Sequence, residues 1–436
     1  MKKLVICSLS LLLALLLMTH GLPAQQASLL PETDILEQLK EIPGCKVKPL
    51  ANWQGQGWEL ILKQPLDHNN PKAGYFKQHI YLKHTDTQAP TVLVTEGYSL
   101  RGLRDYELAA LLGANQVRVE YRYFGESAPP KRKGWQYLRN QSAADDLHRI
   151  RQLLGKIYQG PWINTGISKG GQTSLIYRRF YPEDVAATVA YVAPMALGLE
   201  DPRTDRWQDS IGSDACRESI RVFQRSVLEQ REAGLEVWTG YAKANKQTFP
   251  IGAEVAFEYA VLEYPFSFWQ SGVDCHSIPA SDAPPTELTA HLLEVVGTSL
   301  YTKKGIQAYQ AHFYQAMYEQ GYYGFPTAPV SDLLRVAQQA SNRIFAPQGI
   351  EIPFQAGFVP DILDWLDEHG DKILYIYGEI DTWTACAVHP NPVRDALKLT
   401  VEGGNHGVRL KHLTSEQKQL AYEKLESWIG INIQSR

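Results

Sequence analysis

The chain has 436 residues and a formal charge of −4, with 44% hydrophobic and 21% charged residues. That length exceeds one small core and calls for a large domain carrying an insertion, or for two domains. The composition is that of an ordinary globular enzyme, and the absence of any block of like charge argues against nucleic acid or an anionic membrane surface as a partner.

The first residues read as a leader. Lys2 and Lys3 precede an almost wholly apolar run from Leu4 to Met18, and small or turn-forming residues follow to Ala24. This is the pattern of a cleaved signal peptide over residues 1–24, and the run is short of the ~20 residues that a span needs. Cys7 lies near the start of the run, the wrong place for lipid attachment. The chain is therefore expected to be exported, periplasmic or extracellular, with no membrane attachment after cleavage. Export leaves Cys45, Cys216, Cys275 and Cys386 in an oxidising compartment. Cys216 and Cys275 share the middle segment and are the expected pair; Cys45 with Cys386 follows by elimination. The CxxC and CxxxH spacings of a metal site are absent.

Alternation and turn signals predict antiparallel strands at Trp58 to Leu62 and Phe76 to Leu82, joined through Asn69-Asn70-Pro71. Thr91 to Thr95 reads as a strand buried on both faces, and Val117 to Tyr121 as the next. Ser142 is placed to cap a helix whose apolar positions are Ala143, Leu147, Ile150, Leu154 and Ile157. A short strand at Trp162 to Thr165, a helix from Gln172 to Phe180 and a strand from Ala187 to Ala193 follow. Such alternation predicts parallel βαβ units. From about Leu199 to Glu368 the texture changes to long helical patterns, such as Arg217 to Ala244 and Lys304 to Tyr318, with dense aromatics. Sheet patterning resumes at Lys372 to Tyr377 and Ala396 to Val401, and a helix runs from Ser415 to Ile429. The expected architecture is α/β: an α/β-hydrolase domain at 25–198 and 369–436, interrupted by a largely helical lid at 199–368.

A serine hydroxyl needs a base, a group to orient that base, and donors for the developing oxyanion. Gly166-Ile167-Ser168-Lys169-Gly170 sits between a strand and a helix, the context of a nucleophile elbow. Chain order then calls for an acid followed by a histidine. Asp381 stands just past a strand end, ahead of its rival Glu379, and His406 lies in the glycine-rich loop Gly403-Gly404-Asn405-His406-Gly407. The expected triad is Ser168, Asp381 and His406. The oxyanion donors are the backbone amides of Lys169 and of Tyr98, with Gly97 permitting the close approach. This chemistry needs no metal or organic cofactor.

Glu120-Tyr121-Arg122-Tyr123-Phe124-Gly125-Glu126-Ser127 resembles a segment of lysosomal prolyl carboxypeptidase and dipeptidyl peptidase II. The likeness to the secreted bacterial proline-specific tripeptidyl aminopeptidases is closer. It is carried by Gln64-Pro65-Leu66-Asp67-His68, by Ala144-Asp145-Asp146-Leu147-His148-Arg149-Ile150, by Thr165-Gly166-Ile167-Ser168-Lys169-Gly170-Gly171, and by Tyr181-Pro182-Glu183-Asp184-Val185. The resemblance implies a serine exopeptidase with a helical lid, acting on peptides and releasing short N-terminal pieces, often after proline. Such an enzyme must hold the substrate's free α-amine, and a carboxylate does so by a charge-assisted hydrogen bond. Glu96 and Glu126 are the named candidates, beside acids of the insertion. An esterase or lipase on the same fold is the alternative function, since fold does not fix substrate.

Overall fold

The computed structural model describes residues 32–433, apart from 51–52, 54, 103 and 130–133. The leader expected over 1–24 lies outside the described residues. Among the described residues nine strands form one sheet: β1 (Cys45–Pro49), β2 (Gly57–Pro65), β3 (Tyr75–Lys83), β4 (Thr91–Thr95), β5 (Asn115–Val119), β6 (Trp162–Ile167), β7 (Ala187–Tyr191), β8 (Ile373–Gly378) and β9 (Ala396–Val401). Their spatial order is β1-β2-β3-β5-β4-β6-β7-β8-β9. The β1–β2, β2–β3 and β3–β5 ladders are antiparallel, and every later pairing is parallel. With its strand-to-helix elbow after β6, this is the α/β-hydrolase fold that the sequence predicts.

The helices are α1 (Glu32–Lys40), α2 (Glu107–Leu112), α3 (Asn140–Leu154), α4 (Lys169–Phe180), α5 (Arg203–Gln208), α6 (Asp214–Glu229), α7 (Arg231–Ala244), α8 (Ala253–Ser271), α9 (Pro285–Val295), α10 (Lys303–Gln315), α11 (Phe358–His369) and α12 (Ser415–Ile429). The inner parallel strands β4, β5 and β7 are buried throughout because helices cover both faces. The two-residue period of β4 shows the division. Val92 and Val94 face Leu108 and Leu112 of α2 and Leu425 of α12, while Leu93 faces Leu147 and Ile150 of α3.

From α5 to α10 the chain builds a second apolar core around Phe223, Trp238, Phe257 and Tyr264. That core also takes in Tyr121, Tyr123 and Phe124, which seats the helical segment on the stretch after β5. By contrast, α11 packs through Val359, Ile362 and Leu366 against Leu175 of α4 and Ile373 of β8, so it lies on the sheet. Pro265 stands inside α8. Its missing N–H frees the Val261 carbonyl, and Gln224 Nε2 donates to that oxygen at 2.8 Å.

Three local expectations change. Ser142 does not cap α3, which starts earlier, at Asn140. The Asn140 backbone amide and side-chain amide both donate to the Glu319 carboxylate, at 2.8 and 2.7 Å. A cap supplied from so far along the chain leaves no local signal. The long pattern at 217–244 is two helices, broken at Gln230. Cys216 and Cys275 form the expected disulfide, which ties α6 to the turn after α8. Cys45 and Cys386, however, are free thiols. Cys45 is on the edge strand β1, and Cys386 follows β8, seven strand spacings away in the sheet order. At about 4.8 Å per spacing the gap is on the order of 30 Å, whereas a disulfide needs Cα atoms within about 7 Å. No helix among the described residues is long and apolar enough to cross a membrane.

Candidate active site

Ser168 stands between the end of β6 and the start of α4 with φ +58° and ψ −123°. An L-residue with this backbone is strained by about 1–3 kcal/mol, and the surroundings hold it there. Its amide donates to the Tyr191 carbonyl at 2.9 Å, and its carbonyl accepts the Gln172 amide at 2.8 Å. The strain also requires glycine nearby: a Cβ on Gly166 would strike the Gly170 carbonyl. Thr95, at the end of β4, donates its hydroxyl to that same Gly170 carbonyl at 2.7 Å and ties strand to elbow.

The Glu96-Gly97-Tyr98 loop presses against this turn. Gly97 has φ +74°, and a Cβ there would lie 2.7 Å from the Gly170 nitrogen. The Tyr98 carbonyl accepts the Tyr121 amide at 3.0 Å. Lys169 opens α4, where a backbone amide has no partner within the helix.

On the other side, His406 Nδ1 is 2.7 Å from Asp381 Oδ2. Asp381 is completely buried and the imidazole partly so. The second carboxylate oxygen of Asp381 accepts the Trp383 amide at 3.2 Å, which fixes its plane. Glu379 is exposed and accepts the Gly403 amide at 2.8 Å, so it braces the histidine loop and does not meet the imidazole. The carbonyl of Gln270, near the end of α8, accepts the His406 amide at 3.1 Å. Gln270 lines the same cavity as Ser168, Lys169 and Tyr98.

That cavity has a volume of about 380 Å³, within the range of small-ligand sites. The helical segment forms much of its wall, through residues such as Glu263, Phe313, Tyr322 and Tyr323, and Trp383 adds another aromatic. Phe266 stacks on Tyr323 with centroids 3.8 Å apart, and Trp383 meets Phe266 edge-on at 5.0 Å.

Neither carboxylate named from the sequence reaches this cavity. Glu96 turns the other way, onto Arg118 at 2.7 Å and Arg104 at 3.3 Å. Glu126 is exposed on a turn, and its neighbour Arg122 is committed elsewhere, to Asp146. The acid at the cavity wall is Glu263. It accepts the Tyr323 hydroxyl at 2.6 Å and the Ser267 hydroxyl at 3.0 Å. Burial pushes its carboxyl up to about 7, although both hydrogen bonds pull it down. Its sequence neighbourhood is apolar and aromatic, which hid it among core positions.

The side chain of Lys169 was also not foreseen. Its ammonium is buried 3.6 Å over the Tyr121 ring, with no hydrogen-bond partner among the described residues. Burial draws it well below the ordinary lysine range, and Glu319 partly offsets this. Burial and the Lys169 charge hold the His312 imidazole down at about 3, so it stays neutral and is not a proton carrier near neutrality.

The remaining motifs are scaffolding around the Glu96-Gly97-Tyr98 loop. Arg122 grips Asp146 through two bonds of 2.7 Å and donates to the carbonyls of Leu66 and Tyr137 at 3.0 and 2.6 Å. His68 Nε2 lies 2.7 Å from the same Asp146. The Glu120 carboxylate accepts the amides of Leu100 and Ser127 at 3.0 and 2.9 Å.

Residues 31–435 match the profile of the PS-10 peptidase S37 family. A prolyl tri/tetrapeptidyl aminopeptidase of Streptomyces mobaraensis is 33% identical over 411 residues, spanning 92% of this chain and 86% of the relative. A protein of Arabidopsis thaliana described as the probable serine protease EDA2 is 24% identical, over 85% of this chain and 88% of its own length. Among solved structures, the proline iminopeptidase of Mycobacterium smegmatis aligns over 84% of this chain and 98% of its own, with 14% identity and a TM-score of 0.43. With the profile covering nearly the whole chain and a relative of this identity along its length, the chain belongs to the S37 family of serine peptidases.

Proposed function

We propose that the protein is an exported aminopeptidase that releases short peptides from free N-termini with a preference for proline at the cleaved bond. Ser168 Oγ attacks the scissile carbonyl, and His406 takes its proton through Nε2 and later delivers it to the leaving amine. Asp381 holds the imidazole by Nδ1, and the amides of Lys169 and Tyr98 receive the oxyanion. Water then hydrolyses the acyl-enzyme by the same route. The observation that carries this reading is the position of Ser168 on a cavity walled in by the helical segment and its aromatics. A lid of this kind admits a chain end, and flat rings suit a prolyl side chain. The name of the Streptomyces relative supplies the amino-terminal direction. The disulfide between Cys216 and Cys275 supports export, together with the leader pattern of residues 1–24.

The test is a panel of chromogenic tripeptides with free or acetylated amines and with Pro or Ala before the scissile bond, run beside simple acyl esters. Free prolyl peptides are expected to be cleaved fastest. Equal rates on acetylated peptides end the aminopeptidase reading, and turnover of esters alone returns the protein to the esterase class.

A further inference from the structure

Most buried acids of this molecule are paired with a cation or sit among backbone amides. Asp146 has Arg122, Glu258 has Arg231, Glu96 has Arg118 and Asp201 has Arg203. Glu120 is held by amides and a hydroxyl. Glu263 differs on both counts. Its only hydrogen-bond donors among the described residues are the neutral hydroxyls of Tyr323 and Ser267, one on each oxygen, and no ion pair reaches it there. A buried carboxyl without a cation is costly and rare.

Its placement gives that cost a use. Glu263, Ser267 and Gln270 fall at i, i+4 and i+7 along α8, on one face of the helix, and all three line the cavity that holds Ser168. Each carboxylate oxygen accepts one hydroxyl and keeps acceptor capacity for a ligand. The cavity's lysine, Lys169, does not fill the role, because its ammonium is turned onto the Tyr121 ring.

We propose that Glu263 is the specificity-determining anchor of this site, and that the cation it lacks is the α-ammonium of the substrate. This assignment rests on the aminopeptidase reading above. The Tyr323 and Ser267 hydroxyls orient the carboxylate, and the ammonium adds a charge-assisted bond on the free side of each oxygen. The same negative group repels a substrate carboxylate, so the site selects amino ends over carboxyl ends. An acylated or des-amino N-terminus forgoes that charge-assisted bond, and the site favours free-amine substrates on that account.

The experiment compares Ala-Ala-Pro-p-nitroanilide with its des-amino counterpart, propionyl-Ala-Pro-p-nitroanilide, on the wild type, Glu263→Gln and Glu263→Asp. Labelling of Ser168 by a fluorophosphonate at the wild-type rate verifies that each variant is folded. The wild type is expected to favour the free amine by about 100-fold in kcat/KM, the scale of a desolvated charge pair. Glu263→Gln should lose that factor on the free-amine substrate, chiefly in KM, and leave the des-amino rate within about threefold. Glu263→Asp should keep part of the preference. If the wild type discriminates and Glu263→Gln discriminates equally, the assignment to Glu263 falls while the aminopeptidase reading stands. If the wild type does not discriminate, both fall.

Discussion

The backbone amide of His406 donates to the carbonyl of Gln270 at 3.1 Å, so the loop bearing the proposed base hangs on the end of a helix from the inserted segment. One residue earlier, Asn405 Nδ2 donates to the Ser271 carbonyl at 2.6 Å. The turn that follows this helix end is fixed to α6 by the disulfide between Cys216 and Cys275. The helical segment and the proposed base therefore share one anchor.

Replacing both cysteines by serine is expected to lower both stability and rate. The bridge closes a sequence separation of 59 residues, for which the chain-entropy relation gives about 4 kcal/mol. A loosened α8 end also lets His406 drift, and a misplacement of about 1 Å costs up to 100-fold in rate. Urea titration of the double variant, and of the wild type with and without reductant, checks the first effect; kcat below half denaturation checks the second. Unchanged stability on reduction would refute the anchoring role.

Asp381 and Glu379 make a paired test of the proposed acid. Asp381→Asn keeps the side chain's shape but offers the imidazole a donor, which favours the wrong tautomer. The expected loss is about 10⁴-fold in kcat, the scale seen for this change in other serine peptidases. Glu379→Gln should stay within about threefold, because its exposed carboxylate accepts, among the described residues, only the Gly403 amide in a bond worth about 1 kcal/mol. Ser168→Ala should abolish hydrolysis with the fold intact. Comparable losses for Glu379→Gln and Asp381→Asn would overturn the choice of acid.

The sheet and the elbow were legible because their signals are local. β4 and β9 fall where β-branched runs and turn signals put them, and the tight approach of Gly97 and Gly166 to the elbow is written as glycine. Long-range contacts were not legible. Glu319 caps α3 from almost 180 residues away, and Glu96 meets Arg118 across the loop rather than the cavity. Glu263 was missed for a related reason. It lies in an aromatic run of α8 that reads as plain core, and only the folded helix shows which of its faces borders Ser168.

The Arg122–Asp146 pair predicts a structural role for two of the sequence motifs. Both side chains are almost fully buried, and Arg122 also ties down the carbonyls of Leu66 and Tyr137. Asp146→Asn leaves the guanidinium without its counter-charge, at a cost of about 3–5 kcal/mol. Soluble yield and unfolding midpoint should both fall, with KM unchanged in whatever folds. Glu126→Gln, on the exposed turn beside Arg122, should be silent in both measurements. A KM effect from Glu126→Gln would restore that residue to the substrate site.

Glu263 sets stability against function as pH changes. Its carboxyl titrates at about 7 in the folded protein against an ordinary 4.5. A raised acid is favoured in its protonated form by folding, so its contribution is fully present below about 4.5 and is lost as pH rises through 7. At about 1.4 kcal/mol per pH unit, the gap corresponds to about 3 kcal/mol lost by pH 8. Glu263→Gln removes this burden. The variant should unfold at higher denaturant than the wild type at pH 8 and match it near pH 4.5. Catalysis runs the opposite way, because the α-ammonium needs the ionised carboxylate. The ratio of wild-type to Glu263→Gln kcat/KM on a free-amine substrate should therefore rise between pH 6 and 8, and taking the ratio cancels pH effects common to both proteins. A flat ratio across that interval would remove Glu263 as the anchor, and equal stability of the two proteins at pH 8 would remove the burden on the fold.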